Sequence, residues 1–315
     1  MDYYELGRTG IRVSALCYGT LPMGPLQADL PAEDGGRLIL EGLQKGINFI
    51  DTAEIYRTYP HVKWALDRFT GETVIASKST ASDYQGMKAS IEMALNELGK
   101  NKIDIFHLHA AREDEPLKKR AGAMEALREA RQKGLIKAAG LANHSVKGVR
   151  SAAGEPELDV IFALINRTGL GILDGGPAEM MEAVGEAKAA GQGVYAMKAL
   201  GGGNLLADVA ENFRFVRLTA GIPIVAVGML RSCEIEMNVA LFEGSAVPEN
   251  LQEQVRQYKK RAQVLFLCKG CGRCVELCHN GAVAVRDGKA RIDPEKCLLC
   301  GYCSRGCPQF AIRVI

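Results

Sequence analysis

The chain has 315 residues, 47% of them hydrophobic, and a formal net charge of +2 from 39 Lys and Arg against 37 Asp and Glu. That near-balance, without a basic block or interleaved aromatic and basic residues, argues against nucleic acid as a partner. No apolar run is long enough to span a bilayer, and the opening MDYYELGRTG lacks the basic and apolar segments of a signal peptide. The chain is therefore expected to be cytoplasmic, with reduced cysteines, and long enough for one large domain and one small one.

Taken in order, short apolar and β-branched runs alternate with longer helical patterns. The candidate strands are Ser14–Tyr18, Asn48–Asp51, Thr73–Ser77, Ile103–Leu108, Ala138–Leu141, Val160–Ile165, Gly193–Ala196 and Ile224–Gly228. Amphipathic segments such as Met87–Leu98, Ala121–Lys133 and Ala178–Ala190 lie between them, and Gly46, Gly99, Gly134 and Gly191 stand where helices would stop. Alternation of this kind predicts parallel strands with crossover helices. A doubly wound sheet would read similarly, but eight strands in about 245 residues match a (β/α)8 TIM barrel. The expected organisation is an α/β barrel over 1–245, a polar helical linker over 246–262 and a small α+β domain over 263–315.

The last segment is rich in cysteine. Cys268, Cys271, Cys274 and Cys278 make C-x2-C-x2-C-x3-C, and Cys297, Cys300, Cys303 and Cys307 repeat it 29 residues later. The same offset maps Ala282 to Ala311 and Val285 to Val314, so two similar half-units are expected. Zinc favours pairs separated by longer stretches, and disulfides need an oxidising compartment. The pattern resembles bacterial ferredoxins that hold two [4Fe–4S] clusters, in which the fourth cysteine of each run serves the other cluster. That resemblance implies Cys268, Cys271, Cys274 and Cys307 around one cluster, and Cys297, Cys300, Cys303 and Cys278 around the other. Residues 263–315 carry Lys269, Arg273, Arg286, Lys289, Arg291, Lys296, Arg305 and Arg313 against Glu276, Asp287, Asp293 and Glu295, a positive excess that suits anionic clusters. Cys17 and Cys233 have no partner motif and read as packing residues.

In the first 242 residues YYELGRTGIRVSALCYGT, KGINFIDTAEIY, VIASKS, IDIFHLH, KGLIKAAGLANHS and GMLRSCEIEMN occur in an order that resembles the aldo-keto reductase family. The resemblance implies a catalytic group of Tyr56 as proton donor, Lys78 to lower its pKa, Asp51 to hold the lysine and His109 to orient the substrate carbonyl. Singly, Asp51 reads as a helix cap, Lys78 as a surface lysine, and His107 or His109 as packing. Together they fall at the carboxyl ends of candidate strands or just beyond, where barrels build their sites. The same resemblance implies NAD(P)(H) held by Gly19, Thr20, Asn143, Gly201, Gly202, Gly203, Gly228, Met229, Arg231, Glu234 and Asn238. Ala142 and Phe162 stand where the family has a serine and a glutamine that grip the nicotinamide amide. Leu21–Leu30 and the charged stretch 111–120 are placed to line the mouth, and Tyr59, His61 and Trp64 follow Tyr56 closely.

The main expectation is an oxidoreductase that reduces a small carbonyl, or oxidises an alcohol, by hydride transfer. Two alternatives remain open at this point. Clusters fed by ferredoxin or another redox partner would supply single electrons to the barrel mouth, or the chain would be a non-catalytic carrier or sensor.

Overall fold

The computed structural model describes residues 1–110, 112–258, 260–309 and 311–314. Ala111 of the charged stretch lies outside that set, as do the side chains of Arg305 and Arg313.

Eight parallel strands close a barrel: β1 (Leu16–Gly19), β2 (Phe49–Asp51), β3 (Val74–Ser79), β4 (Ile103–His109), β5 (Ile136–Asn143), β6 (Val160–Leu164), β7 (Gly193–Met197) and β8 (Val225–Gly228). Closure comes from β8, which pairs with β1 from Val225↔Leu16 to Gly228↔Gly19. The eight expected runs are these strands, shifted by a residue or two at their ends. The strands read as continuous apolar runs because both faces are covered: Ile75, Phe106, Leu141 and Ile161 pack outward under the helices, while Phe49, Ala76, Ile105 and Ala138 fill the interior.

The two ends of the barrel differ. A hairpin of Tyr3–Glu5 and Arg12–Ser14 precedes β1, and its Leu6, Ile11 and Val13 join the interior cluster as a plug at the amino end. Gly7 permits this, since a Cβ there would stand 2.2 Å from the Gly193 backbone nitrogen. At the carboxyl end the buried residues turn polar: Asp51, Lys78, His107, His109 and Asn143.

The cysteine-rich segment repeats its local structure at the 29-residue offset. Gly272 and Gly301 both have φ of 79°, each just before a short helix, Arg273–Leu277 and Tyr302–Arg305. Strands Val283–Arg286 and Ile312–Val314 follow at the same spacing.

The polar linker expected to be helical over 246–262 is helical only over Glu249–Arg256. Beyond it, Ala262–Val264 is a strand antiparallel to Ile312–Val314. Pairing with the last strand of the cysteine-rich segment overrides local helical preference there. Nor is the linker simply solvated, since Val255 is buried and the Tyr258 ring lies 3.6 Å from the Arg231 guanidinium.

The second half-unit sits on the barrel mouth through backbone contacts that only glycine allows. A Cβ on Gly202 would lie 2.1 Å from the Leu298 carbonyl oxygen, and one on Gly301 would lie 1.8 Å from that of Leu26. Asn204 Nδ2 donates to the Cys297 carbonyl at 2.7 Å. Both glycines also have positive φ, which a side chain would strain. Gly202→Val should therefore loosen this contact without unfolding the barrel. Hydrogen exchange should rise over residues 297–302 while protection of β1–β8 stays as in the parent; equal protection over 297–302 would show the contact to be dispensable.

Candidate active site and cysteine sets

Asp51 ends β2, Lys78 stands near the end of β3, and His109 ends β4. Tyr56 follows β2 on a single turn, Glu54–Tyr56. The structure brings all four together. Lys78 Nζ donates to Asp51 Oδ1 at 2.6 Å and to the Thr52 carbonyl at 2.7 Å. It lies 4.8 Å from the Tyr56 ring centroid, and the Tyr56 and His109 rings meet edge to face at 6.1 Å.

A deeper layer holds Asp51 from below. Tyr195 on β7 donates to Asp51 Oδ2 at 3.0 Å and shares a 2.8 Å bond with His107 Nε2. The phenol has one proton, and Asp51 takes it, so His107 Nε2 carries the hydrogen of the second bond. Gly140 on β5 makes room for His107, because a Cβ there would lie 2.1 Å from its Nδ1. Phe162 on β6, where the family glutamine was expected, stacks on Tyr195 at 4.0 Å.

Burial dominates the titration of the site. It pushes the Asp51 carboxyl up and the Lys78 ammonium down, while their mutual contact opposes both shifts. Tyr56 is pushed well above its ordinary value, first by burial and then by Tyr302 and Asp51. This corrects the expectation that Lys78 lowers it: in a closed cavity, desolvation of the phenolate outweighs a cation already paired with a carboxylate. His109 is pushed well below its ordinary value by burial and by Lys78, so it is neutral near pH 7.

A groove runs away from Tyr56 and Asp51 past the ends of β7 and β8. Of the expected cofactor residues, Gly19, Gly202, Gly203, Gly228, Glu234 and Asn238 line it. Asn238 is buried and its Oδ1 has no partner, as a ligand-facing group would have in the free protein. Gly228 brings in the turn after β1, since a Cβ there would meet Pro22 at 2.4 Å. Other expected residues are spent elsewhere. Asn143 donates to the carbonyls of Ala110 and Glu113 and accepts from the Ser145 amide, so its side chain serves the loops around it. Thr20 is fully buried and bonded to Thr58 and the Asp51 carbonyl. Met229 is buried, and its carbonyl accepts from Tyr18. Gly201 packs on Leu205 and Leu170, and Gly202 also receives the Leu298 carbonyl. Arg231 stacks on Tyr258 and pairs with Glu234 at 3.3 Å.

Leu21, Pro22 and Gln27 line the groove. Tyr59, His61 and Trp64 do not reach the site: Tyr59 bonds Ser77, His61 bonds the Leu30 carbonyl, and Trp64 lies under Arg68. In the charged stretch, Arg120 and Glu113 make a surface-side pair at 2.5 Å.

Sequence reasoning missed three residues of this region. Lys198 follows β7 with a left-handed φ of 62° and lines both the groove and the adjoining cavity. Lys260 of the linker reaches into the groove, bonds Gln27 Oε1 at 3.1 Å, and is lowered to about 8 by burial. Tyr302, between two cysteines of the second run, hydrogen-bonds Tyr56. A non-glycine residue with positive φ often marks a functional site, but such a backbone is not visible in a sequence.

The cavity above the tetrad joins the two domains. It is lined by Tyr56, Lys78 and His109 from the barrel and by Cys278, Cys297, Cys300 and Cys303 from above. Those four thiols are the set expected around one cluster. Cys274 likewise lies near Cys268, Cys271 and Cys307, the other expected set. Among the described residues no three His, Cys, Asp or Glu side chains converge as ligands of a single ion.

The fit to clusters can be tested on the thiols themselves, because cluster sulfurs are tuned by hydrogen bonds. Gly270 and Ala290 amides donate to Cys268 Sγ at 3.4 and 3.3 Å and hold that thiol below its ordinary value. Ala282 donates to Cys278 Sγ at 3.1 Å, and Ala311, 29 residues on, donates to Cys307 Sγ at 3.3 Å. The donor set therefore fits two thiolate-held clusters.

A parallel barrel with a Tyr–Lys–Asp–His group at its carboxyl mouth, capped by a domain of two four-cysteine sets, defines a barrel oxidoreductase joined to an iron–sulfur module. The chain belongs to the aldo/keto reductase family, which it matches over residues 15–233, and it carries a 4Fe-4S dicluster domain over residues 267–311. It is 28% identical over 169 residues to an uncharacterized oxidoreductase of Saccharomyces cerevisiae, covering 50% of this chain and 56% of that one. An uncharacterized oxidoreductase of Bacillus subtilis is 48% identical over 56 residues, 18% of this chain and 16% of its own length. A component of an ion-translocating oxidoreductase complex of Methanosarcina acetivorans is 37% identical over 70 residues, 21% of this chain and 26% of that one. The chain thus spans little more than half, or much less, of these relatives. Among solved structures, a putative aldo-keto reductase from Pseudomonas aeruginosa superposes with a TM-score of 0.65 at 24% identity, over 77% of this chain and 94% of that one, a likeness of fold.

Two outcomes are expected from the buried charges. Lys78→Met leaves Asp51 buried without its cation and should cost about 3–5 kcal/mol in urea unfolding. The double variant Asp51→Leu with Lys78→Met should recover part of this; no recovery would mean that the pair is not coupled. His144, which burial lowers to about 3, is harder to protonate when folded than its unfolded value of 6.5. Its contribution is complete above pH 6.5 and is lost as pH falls toward 3, by up to about 1.4 kcal/mol per pH unit. Unfolding free energy measured at pH 7.5 and 5.5 should therefore fall less in His144→Asn than in the parent.

Proposed function

We propose that this protein is an NAD(P)-dependent oxidoreductase that reduces a small carbonyl, with Tyr56 as the proton donor. One observation carries the reading: the groove that ends at the unpartnered Asn238 Oδ1 begins at Tyr56 and Asp51. A nicotinamide bound there would supply hydride. Hydride addition to a carbonyl carbon leaves negative charge on oxygen, and that oxygen needs a proton at once. Tyr56, kept protonated by its buried setting, provides it, and neutral His109 offers a hydrogen bond that orients the carbonyl. Both protonation states favour reduction over alcohol oxidation near pH 7. The adenosine end of the groove fits the cofactor better than the nicotinamide end, where Asn143 is occupied and Ala142 and Phe162 offer no amide contact. The set proposed to hold the clusters is that given by spacing: Cys268, Cys271, Cys274 and Cys307, and Cys297, Cys300, Cys303 and Cys278.

A second reading has its own support. The thiols of Cys278, Cys297, Cys300 and Cys303 share a cavity with Tyr56, Lys78 and His109. In that reading single electrons reach the substrate from the cysteine-rich domain, with Tyr56 and His109 managing protons. A nicotinamide gives two electrons as hydride whereas each cluster passes one, so the two readings make different demands on the mouth.

Tyr56→Phe should lower turnover roughly 10²–10⁴-fold with NADPH and NADH dissociation constants unchanged. Retained carbonyl turnover in that variant removes Tyr56 from the role. Activity with a reduced one-electron dye, in a protein that binds neither nucleotide, would establish the second reading instead.

A further inference from the structure

The two cysteine sets have similar local geometry and opposite surroundings. Cys300 lines the cavity shared with Tyr56 and Lys198, under a docked backbone. Its counterpart 29 residues earlier, Cys271, is exposed to solvent. Around Cys271 the surface is apolar: Phe266 is 86% exposed, Leu267 46%, Val275 39% and Val285 38%. These are half of the eight exposed large hydrophobic residues among those described. Crowded into one small domain, they mark a contact face rather than scattered surface residues.

The rim of that face is basic. Lys269 and Arg273 flank Cys271 and are exposed. The hairpin tip joins them, because Lys289 Nζ bonds the Phe266 carbonyl at 2.9 Å and a Cβ on Gly270 would lie 2.4 Å from the Gly288 oxygen. Exposed Arg286, Lys289 and Arg291 thereby extend the rim, against only Glu276 and Asp287. An apolar centre with a cationic border complements a partner with an apolar centre and an anionic border.

We propose that this face docks an acidic ferredoxin, which hands over one electron at a time through Cys271. In each encounter the ferredoxin is oxidised by one electron, the group held by Cys268, Cys271, Cys274 and Cys307 is reduced by one, and no bond or proton changes. The second cysteine set then lies between this entry point and Tyr56. The inference rests on the dicluster domain and is independent of the nicotinamide reading. Electron-carrier encounters are small and steered by charge, so this one should be brief and sensitive to salt.

The test uses the full-length reconstituted protein and a reduced acidic [2Fe–2S] ferredoxin, whose spectrum is separable, mixed anaerobically in a stopped-flow instrument. The second-order rate of electron transfer should fall at least about tenfold between low and high salt. Arg273→Glu with Arg286→Glu should fall at least about tenfold at low salt, and Phe266→Ser should weaken binding at both salt levels by calorimetry. Lys147→Glu, an exposed charge on the barrel, should leave both readouts unchanged. Iron and sulfide content accompany each variant, and Arg286→Glu alone replaces the double variant if that loses iron. Unchanged rates in iron-replete variants at the rim overturn the proposal. So does an equal loss in Lys147→Glu, which would mean that overall charge rather than this face guides the encounter.

Discussion

A lysine whose side chain is 1% exposed stays charged only with a partner at bonding distance, and Asp51 stands 2.6 Å away. Taking both ions out of water is costly, so each further lone pair and proton near them must also be placed. Thr52 supplies a carbonyl to Lys78, and Tyr195 supplies a proton to Asp51. Tyr195 then needs His107, and His107 needs the space left by Gly140. The choice of residue on β4, β5 and β7 thus follows from one ion pair between β2 and β3. The pair in turn stays dry because a second domain closes the mouth above it.

That closure changes the meaning of residues shared with simpler barrels. In an open mouth, a cation near Tyr56 would favour phenolate. Under the cysteine-rich domain, Tyr302 bonds the phenol and water is excluded, so the proton is held more tightly. A phenol that keeps its proton near pH 7 serves a reaction in which charge develops on a nearby oxygen. The same roof limits what can enter, because Leu298, Leu299 and Tyr302 line the cavity over His109. Substrate size is therefore set by the C-terminal domain as well as by the barrel loops.

Much of this was legible in the chain because it is encoded locally. The strands are apolar runs of limited length, and the tetrad lies at their ends in family order. The two cysteine runs share a spacing and a 29-residue repeat that also returns as matching φ values at Gly272 and Gly301. What escaped depends on tertiary placement. Lys198 reads as a surface lysine because nothing nearby in sequence reveals its left-handed backbone or the cysteines above it. Tyr302 looks like a spacer between ligands. Tyr258 and Lys260 belong to a polar stretch with helical periodicity, yet the chain leaves the helix after Arg256 and turns over the groove to begin a strand. Asn143 and Thr20 match a family pattern in type, but their hydrogen bonds are claimed by Glu113, Ser145 and Thr58, which lie in loops that the pattern does not describe.

The repeat also shows how identical local geometry can be put to unequal use. Both half-units satisfy their thiols with amide donors at matching positions, so neither is the more complete binding site. Their difference lies in what each covers. One gives its backbone to Gly202 and Leu26 and loses its exposed face to the barrel. The other keeps Phe266, Leu267 and Cys271 in solvent. A purely structural cap would gain from burying apolar side chains wherever it could. Leaving a residue as large as Phe266 86% exposed forgoes that stabilisation, which is understandable if the outer face is completed by another molecule while the inner face is completed by the barrel.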